Sequence, residues 1–220
     1  MSKAVIPFRI SSSDTELQGV LHQPSDRSDI GLVLTHGAGA NCESPLLVAL
    51  ANALCESGVA GLRFNLPFRM KRPHGPPPPG SAERDQAGIR DAVNALKNEI
   101  GGEVYMGGHS YGGRMASMLA ASDPELVRGL LLLSYPLHPP KRPEQMRTAH
   151  FPKLRTPALF VSGTRDGFGT VAEMEEALKL IPAQTKSMTF DGAGHELMSK
   201  KNAAELPERI VGAWRQMFLR

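Results

Sequence analysis

The pentapeptide Gly108-His109-Ser110-Tyr111-Gly112 limits most sharply what this chain can fold into. It stands between a short apolar run, Glu103 to Gly108, and a stretch rich in Ala, Met and Leu that reads as a helix to about Ala121. A strand that passes into a helix over so few residues needs a sharp turn. Glycines at 108 and 112 let the backbone close without side-chain clash, and Gly113 extends that freedom. Ser110 is then held at the tip of the turn with its hydroxyl exposed. Its backbone sits at a helix N-terminus, where unpaired N–H groups favour developing negative charge. In this strand–turn–helix setting, G-x-S-x-G is the arrangement of a nucleophilic serine. Without it, Ser110 would be an ordinary helix N-cap.

The rest of the chain alternates apolar runs with helical periodicity, which predicts βαβ units and a mostly parallel sheet with helices on both faces. Ile6–Ile10 and Leu17–His22 read as an antiparallel pair ahead of it. Ile30–His36 is a continuous apolar run of the kind buried on both faces. Ser44-Pro45 opens a helix through about Ser57, and Val59–Asn65 is the next strand. Leu66–Ser81 is a Pro-rich loop, and Ser81 is expected to cap a helix to about Glu99. Strands are expected at Leu130–Ser134, Ala158–Ser162 and Lys186–Phe190. Helices are expected at Val171–Leu180 and Ser199–Phe218. A single domain spanning residues 1–220 suits this length.

A serine hydroxyl needs a base. Of seven histidines, His195 stands out, in Asp191-Gly192-Ala193-Gly194-His195-Glu196, between the last strand and the closing helix. His36 is the second choice. His109 is expected to point away from Ser110 and pack beside the turn. The base in turn needs a carboxylate to fix its tautomer. Asp166 follows the penultimate strand, and Asp191 is its nearest rival; Asp85 and Asp123 read as helix-terminus charges. The order Ser110, Asp166, His195 is the one expected for a fold with this strand–elbow–helix. The two donors for an oxyanion are assigned to the N–H groups of Tyr111 and Ala38, the latter in the small-residue loop His36-Gly37-Ala38-Gly39-Ala40-Asn41.

Five runs together resemble the α/β-hydrolase superfamily, in particular its small dienelactone-hydrolase-like members. They are Thr35–Asn41, Arg63-Phe64-Asn65-Leu66-Pro67, Gly107–Ala116, Ser134–Pro140 and Gly163-Thr164-Arg165-Asp166. The subgroup they resemble comprises small bacterial hydrolases, testis-expressed animal relatives and a scaffold subunit of a chromatin acetyltransferase complex. The resemblance covers roughly residues 20 to 218. It implies an α/β-hydrolase fold with little or no cap, the triad Ser110, Asp166 and His195, and no cofactor or metal. One departure matters. Dienelactone hydrolases proper carry a cysteine nucleophile, and Ser110 stands in its place.

Composition narrows the setting. The N-terminus lacks the apolar core of a signal peptide, no apolar run is long enough to span a bilayer, and only two cysteines occur, Cys42 and Cys55. A cytoplasmic protein without membrane attachment is expected. Net charge is +3 with a pI near 9.0, which is no nucleic-acid signature by itself. The charge is uneven, however. Arg63 to Arg84 holds five basic residues against one acid, and so does Tyr135 to Arg155. Positive potential around a cleft concentrates anions, so a small anionic ester is the expected substrate. The walls are assigned to Asn41, Arg63, Phe68, Arg69, Tyr135 and Leu137. Only 23 residues separate Ser134 from Ala158, too few for a large lid. Carboxylic-ester hydrolysis is the leading reading. Thioesterase or peptidase chemistry uses the same triad, and an interaction module with a vestigial site is the alternative of another class. Monomer and homodimer are equally expected.

Overall fold

The computed structural model describes residues 3–12 and 16–219. An antiparallel ribbon comes first, β1 (Ala4–Ser11) and β2 (Glu16–Gln23). Then follow β3 (Ile30–Thr35), α1 (Pro45–Glu56), β4 (Ala60–Phe64), α2 (Pro67–Lys71), α3 (Ser81–Ile100) and β5 (Glu103–His109). The second half runs α4 (Tyr111–Ser122), β6 (Leu130–Leu133), β7 (Ala158–Gly163), α5 (Val171–Leu178), β8 (Thr185–Phe190) and α6 (Leu206–Phe218). All eight strands join one sheet in the order β1-β2-β4-β3-β5-β6-β7-β8, parallel from β4 to β8.

The central strands are apolar throughout because both faces are covered. Val33, Met106, Leu132 and Phe160 pack against α3, α4 and α5. Their neighbours Leu34, Tyr105, Leu131 and Val161 pack against α1 and α6 on the opposite face. The period of two along each strand produces this division. Trp214 of α6 is fully buried edge-on against Tyr105, with ring centroids 4.9 Å apart.

Three local expectations shift. The Pro-rich loop after β4 contains α2, begun by Pro67 at its first position. Gly80, in the left-handed region at φ 78°, takes the cap position of α3, so Ser81 becomes its first helical residue. The closing helix begins at Leu206 rather than Ser199. There Asn202 Oδ1 accepts from Ser199 N at 2.7 Å and its Nδ2 donates to Leu197 O at 2.9 Å, a local turn that competes with helix.

The crossover from β6 to β7 carries a single 3-10 turn, Phe151–Lys153, and no α-helix. No helix among the described residues is long and apolar enough to cross a membrane. Cys42 and Cys55 are both free and buried, and burial pushes the Cys42 thiol up to about 11.

His36 ties the C-terminal end of β3 to the segment after β4. Its Nδ1 contacts Gly37 O at 2.9 Å, and its Nε2 accepts from Leu66 N at 3.1 Å. Only the neutral Nδ1–H form satisfies both. Burial pushes its pKa down to about 4. Below about pH 6.5 the unfolded chain takes up a proton at His36 that the folded chain refuses. This contribution is complete above about pH 6.5 and lost as pH falls towards 4, by up to about 3 kcal/mol. The urea midpoint is expected to fall over that range, and less steeply in His36→Gln, whose amide oxygen accepts the same bond without titrating. Equal slopes would show that His36 is not the group responsible.

Candidate active site

The site is assembled at the C-terminal ends of β3, β5, β7 and β8. Ser110 joins β5 to α4 with φ 52° and ψ −116°, an unusual backbone for a residue with a side chain. Close packing holds it there. A Cβ on Gly108 would lie 2.0 Å from Thr35 Oγ1, one on Gly112 2.4 Å from the same atom, and one on Gly113 2.6 Å from Gly108 O. Ser110 N donates to Leu133 O at 2.8 Å and Thr35 Oγ1 donates to Gly107 O at 2.8 Å, so both neighbouring strands brace the turn.

Ser110 Oγ lies 2.8 Å from His195 Nε2, and His195 Nδ1 lies 2.9 Å from each oxygen of Asp166. Asp166 is buried, and its Oδ1 also accepts from Phe168 N at 2.9 Å. The Phe168 ring stacks on the imidazole at 4.0 Å. The loop carrying His195 is pinned from behind. His109 Nε2 sits 2.8 Å from His195 O, and Arg165 N donates to Ala193 O at 2.9 Å. This geometry makes His109 Nε2 the donor, and burial lowers its pKa. The rivals are committed elsewhere. Asp191 accepts from Thr164 Oγ1 and His36 is tied to Leu66, while Asp123, at the C-terminal cap of α4, pairs with Arg90.

Among the described residues, the N–H groups of Tyr111 and Ala38 have no backbone acceptor. Ala38 lines the cleft above Ser110. The Tyr111 ring turns away, donating its hydroxyl to Asp85 Oδ2 at 2.6 Å and meeting Phe68 edge-on at 5.7 Å. Asp85 Oδ1 accepts from Phe68 N at 3.0 Å. Asp85 is thus a fully buried brace rather than a helix-terminus charge, and burial raises its pKa.

The cleft is shallow, about 320 Å³, with walls from the Gly37–Ala40 loop, His109, Phe168, His195 and Glu196. The six assigned wall residues lie outside this lining. Arg63 is buried, bonding His22 Nε2 at 2.9 Å and Cys42 O at 2.8 Å. Arg69 is also buried. Its guanidinium donates to Ala38 O at 2.6 Å, Ala40 O at 2.8 Å, Arg72 O at 2.9 Å and Gly75 O at 3.0 Å. Arg69 therefore shapes the loop that carries Ala38. Tyr135 is buried and donates to Arg147 O at 2.7 Å, while Leu137 and Phe68 are core residues. Asn41 Oδ1 accepts from Glu43 N at 2.8 Å and orders the turn before α1. Each correction has one cause: local sequence does not say that an arginine can be consumed by backbone carbonyls or an aromatic ring by the core.

His109 packs beside the turn as expected, but it also forms part of the cleft wall. Phe168 and Glu196 were missed; each is two residues or fewer from a residue that was singled out. Among the described residues no cluster of three His, Cys, Asp or Glu side chains could hold a metal ion.

A family model described as an alpha/beta hydrolase domain matches residues 28–216, and the chain belongs to that family. Dienelactone hydrolase from Anabaena variabilis superposes with a TM-score of 0.79 at 20% identity, covering 100% of both chains. Est1E from Butyrivibrio proteoclasticus gives 0.77 at 19% identity over 96% of this chain and 98% of its own. A Xanthomonas campestris protein described as an α/β serine hydrolase without a lid gives 0.71 at 14% identity, over 97% and 95%. The fold expected from the sequence runs is the fold observed: a small α/β hydrolase with a mostly parallel sheet and helices on both faces.

Proposed function

We propose that the protein is a serine hydrolase that cleaves small acyl esters through an acyl-enzyme. The observation that carries this reading is the continuous hydrogen-bonded line from Ser110 Oγ through His195 to Asp166 at the floor of an open cleft. Ser110 attacks the acyl carbon while His195 Nε2 takes its proton. Asp166 holds the Nδ1–H tautomer and steadies the imidazolium. The N–H groups of Tyr111 and Ala38 receive the oxyanion, where one such donor is commonly worth about 3 kcal/mol. His195 then protonates the leaving alcohol, and water repeats the sequence to release the acid. Thioester and amide substrates would pass through the same steps; the ester reading asks least of the site. The small cleft supports a small-molecule substrate.

The cleft wall contains no Lys or Arg and one acid, Glu196. Preference for an anionic group beside the scissile bond therefore has no wall residue to carry it, and we propose uncharged acyl groups instead. The open cleft supports this reading over that of an interaction module with a vestigial site, and covalent labelling decides between them.

Intact-mass analysis after treatment with a small fluorophosphonate tests the proposal. One adduct is expected on the parent protein, none on Ser110→Ala and slow formation on His195→Ala. An unreactive, well-folded parent would remove the hydrolase reading.

Arg69 gives a second test. Arg69→Met keeps the side-chain length but frees the carbonyls of Ala38 and Ala40. With the loop unbraced, kcat/KM is expected to fall about 100-fold, as for other small misplacements of catalytic groups. The loss should lie mainly in kcat, because the oxyanion develops only in the transition state. An unchanged kcat would mean that Ala38 does not serve the reaction.

A further inference from the structure

The basic residues between Arg63 and Arg84 part company on folding. Arg63 and Arg69 turn inward, whereas Lys71, Arg72 and Arg84 stay exposed around a second cavity of about 340 Å³. None of these three forms an ion pair among the described residues. The cavity shares no lining residue with the cleft at Ser110. Its inner wall is apolar, made by the buried Pro67 and Phe68, with Pro78 and the exposed Ala87 nearer the mouth.

One side chain beside this cavity has an unpaired polar atom. Ser81 lines it, is only 3% exposed, and its Oγ has no hydrogen-bond partner. Buried hydroxyls are almost always paired. Ser81 also opens α3, a helix of 20 residues whose cap residue is Gly80 and which has no side-chain cap. Ser81 N donates to Pro78 O at 3.2 Å and the first turn carries the exposed Glu83, while the remaining first-turn N–H groups favour an anion. Asp85 lies one turn further along α3, with both oxygens already accepting from Tyr111 and Phe68. Its carboxylate would repel a second acid placed deep in the cavity. The ligand's direction follows: an apolar body against Pro67 and Phe68, and an acid group at the mouth of the cavity among Lys71, Arg72 and Arg84.

We propose that this cavity is a binding site for a small organic monocarboxylate, separate from the catalytic cleft. It does not depend on the hydrolase reading. Its position gives it a bearing on the cleft, since the Phe68 ring and Asp85 that line it both hold Tyr111.

The test is a ligand-observed NMR titration of the full chain with 3-phenylpropionate. Saturable binding is expected, about tenfold tighter than for 3-phenylpropan-1-ol, which lacks the charge-assisted bonds. Two variants locate it. Lys71→Ser/Arg84→Ser removes exposed rim charge, and Ala87→Trp fills the cavity from the exposed face of α3. Both should weaken binding about tenfold or more, while Ser110→Ala should leave it unchanged. No binding to the parent protein would overturn the proposal. So would binding that survives either cavity variant, and so would loss of binding in Ser110→Ala, which would place the acid in the catalytic cleft. A protein that labels at Ser110 but fails this titration loses the second site and keeps the first.

Discussion

Ser110→Ala is expected to lower kcat for a small ester by about 10⁴- to 10⁶-fold, with little change in KM. The reason is geometric. Ser110 Oγ is the nucleophile in the proposed reaction and the atom that His195 Nε2 faces at 2.8 Å. What remains in the variant is binding and the two oxyanion donors, which still favour attack by water. Because serine and histidine act as a unit, Ser110→Ala/His195→Ala should be no slower than Ser110→Ala alone. Asp166→Asn should cost about 10⁴-fold by allowing the wrong imidazole tautomer. Steady-state turnover of a chromogenic acetate or butyrate ester reads all three. If Ser110→Ala turns over like the parent, the line of bonds described above is not the catalytic one.

The second large effect concerns stability. Gly108→Ala adds a single methyl group, but that methyl would lie 2.0 Å from Thr35 Oγ1 and 2.4 Å from Thr35 O. Rotating the threonine side chain relieves only the first clash. Gly108 pairs directly with Thr35 across β3 and β5, so the strands themselves must separate. Overpacking of this kind costs about 3 kcal/mol or more, or about 10 °C in Tm for a chain of this size. Gly212→Ala is the matched control. Gly212 lies within α6, and a Cβ there meets nothing within 4 Å. Alanine is the better helix former, so this variant should gain about 1 kcal/mol. Thermal unfolding of the two beside the parent protein decides the point. Equal Tm values would mean that the β3–β5 seam is looser than the packing at Gly108 implies.

That seam also shows which parts of the architecture could be read from residue order. The elbow was legible because its glycines, the preceding strand and the following helix are contiguous. Ser44-Pro45 marked the start of α1 for the same reason: proline at the first helical position is a local signal, and Ser44 takes the cap position without a side-chain bond. Ser110, Asp166 and His195 are far apart in the chain, but each follows a strand that ends at the same sheet edge, and topology does the rest. The Arg69 side chain obeys no such local rule. It is exposed or buried according to whether carbonyls arrive to receive it, and four do: two from the distant loop, Ala38 and Ala40, and two from its own segment, Arg72 and Gly75. Asp85 is similar: its place in α3 suggests a solvated charge, and its role appears only when Tyr111 and Phe68 come to rest on it. Counting charges along Arg63–Arg84 therefore overstated the free positive charge near Ser110. The surplus belongs to the second cavity.

The short β6–β7 crossover has a chemical corollary. With one 3-10 turn and no inserted helix in that crossover, it would not shield an acyl group carried on Ser110 in the proposed reaction. Water and any dissolved alcohol would then meet that acyl carbon on equal terms. The product ratio would follow the concentrations and nucleophilicities of the competing acceptors rather than a closure step. Such an enzyme would act as an acyltransferase wherever a good alcohol is abundant, and its apparent substrate preference would belong partly to the medium.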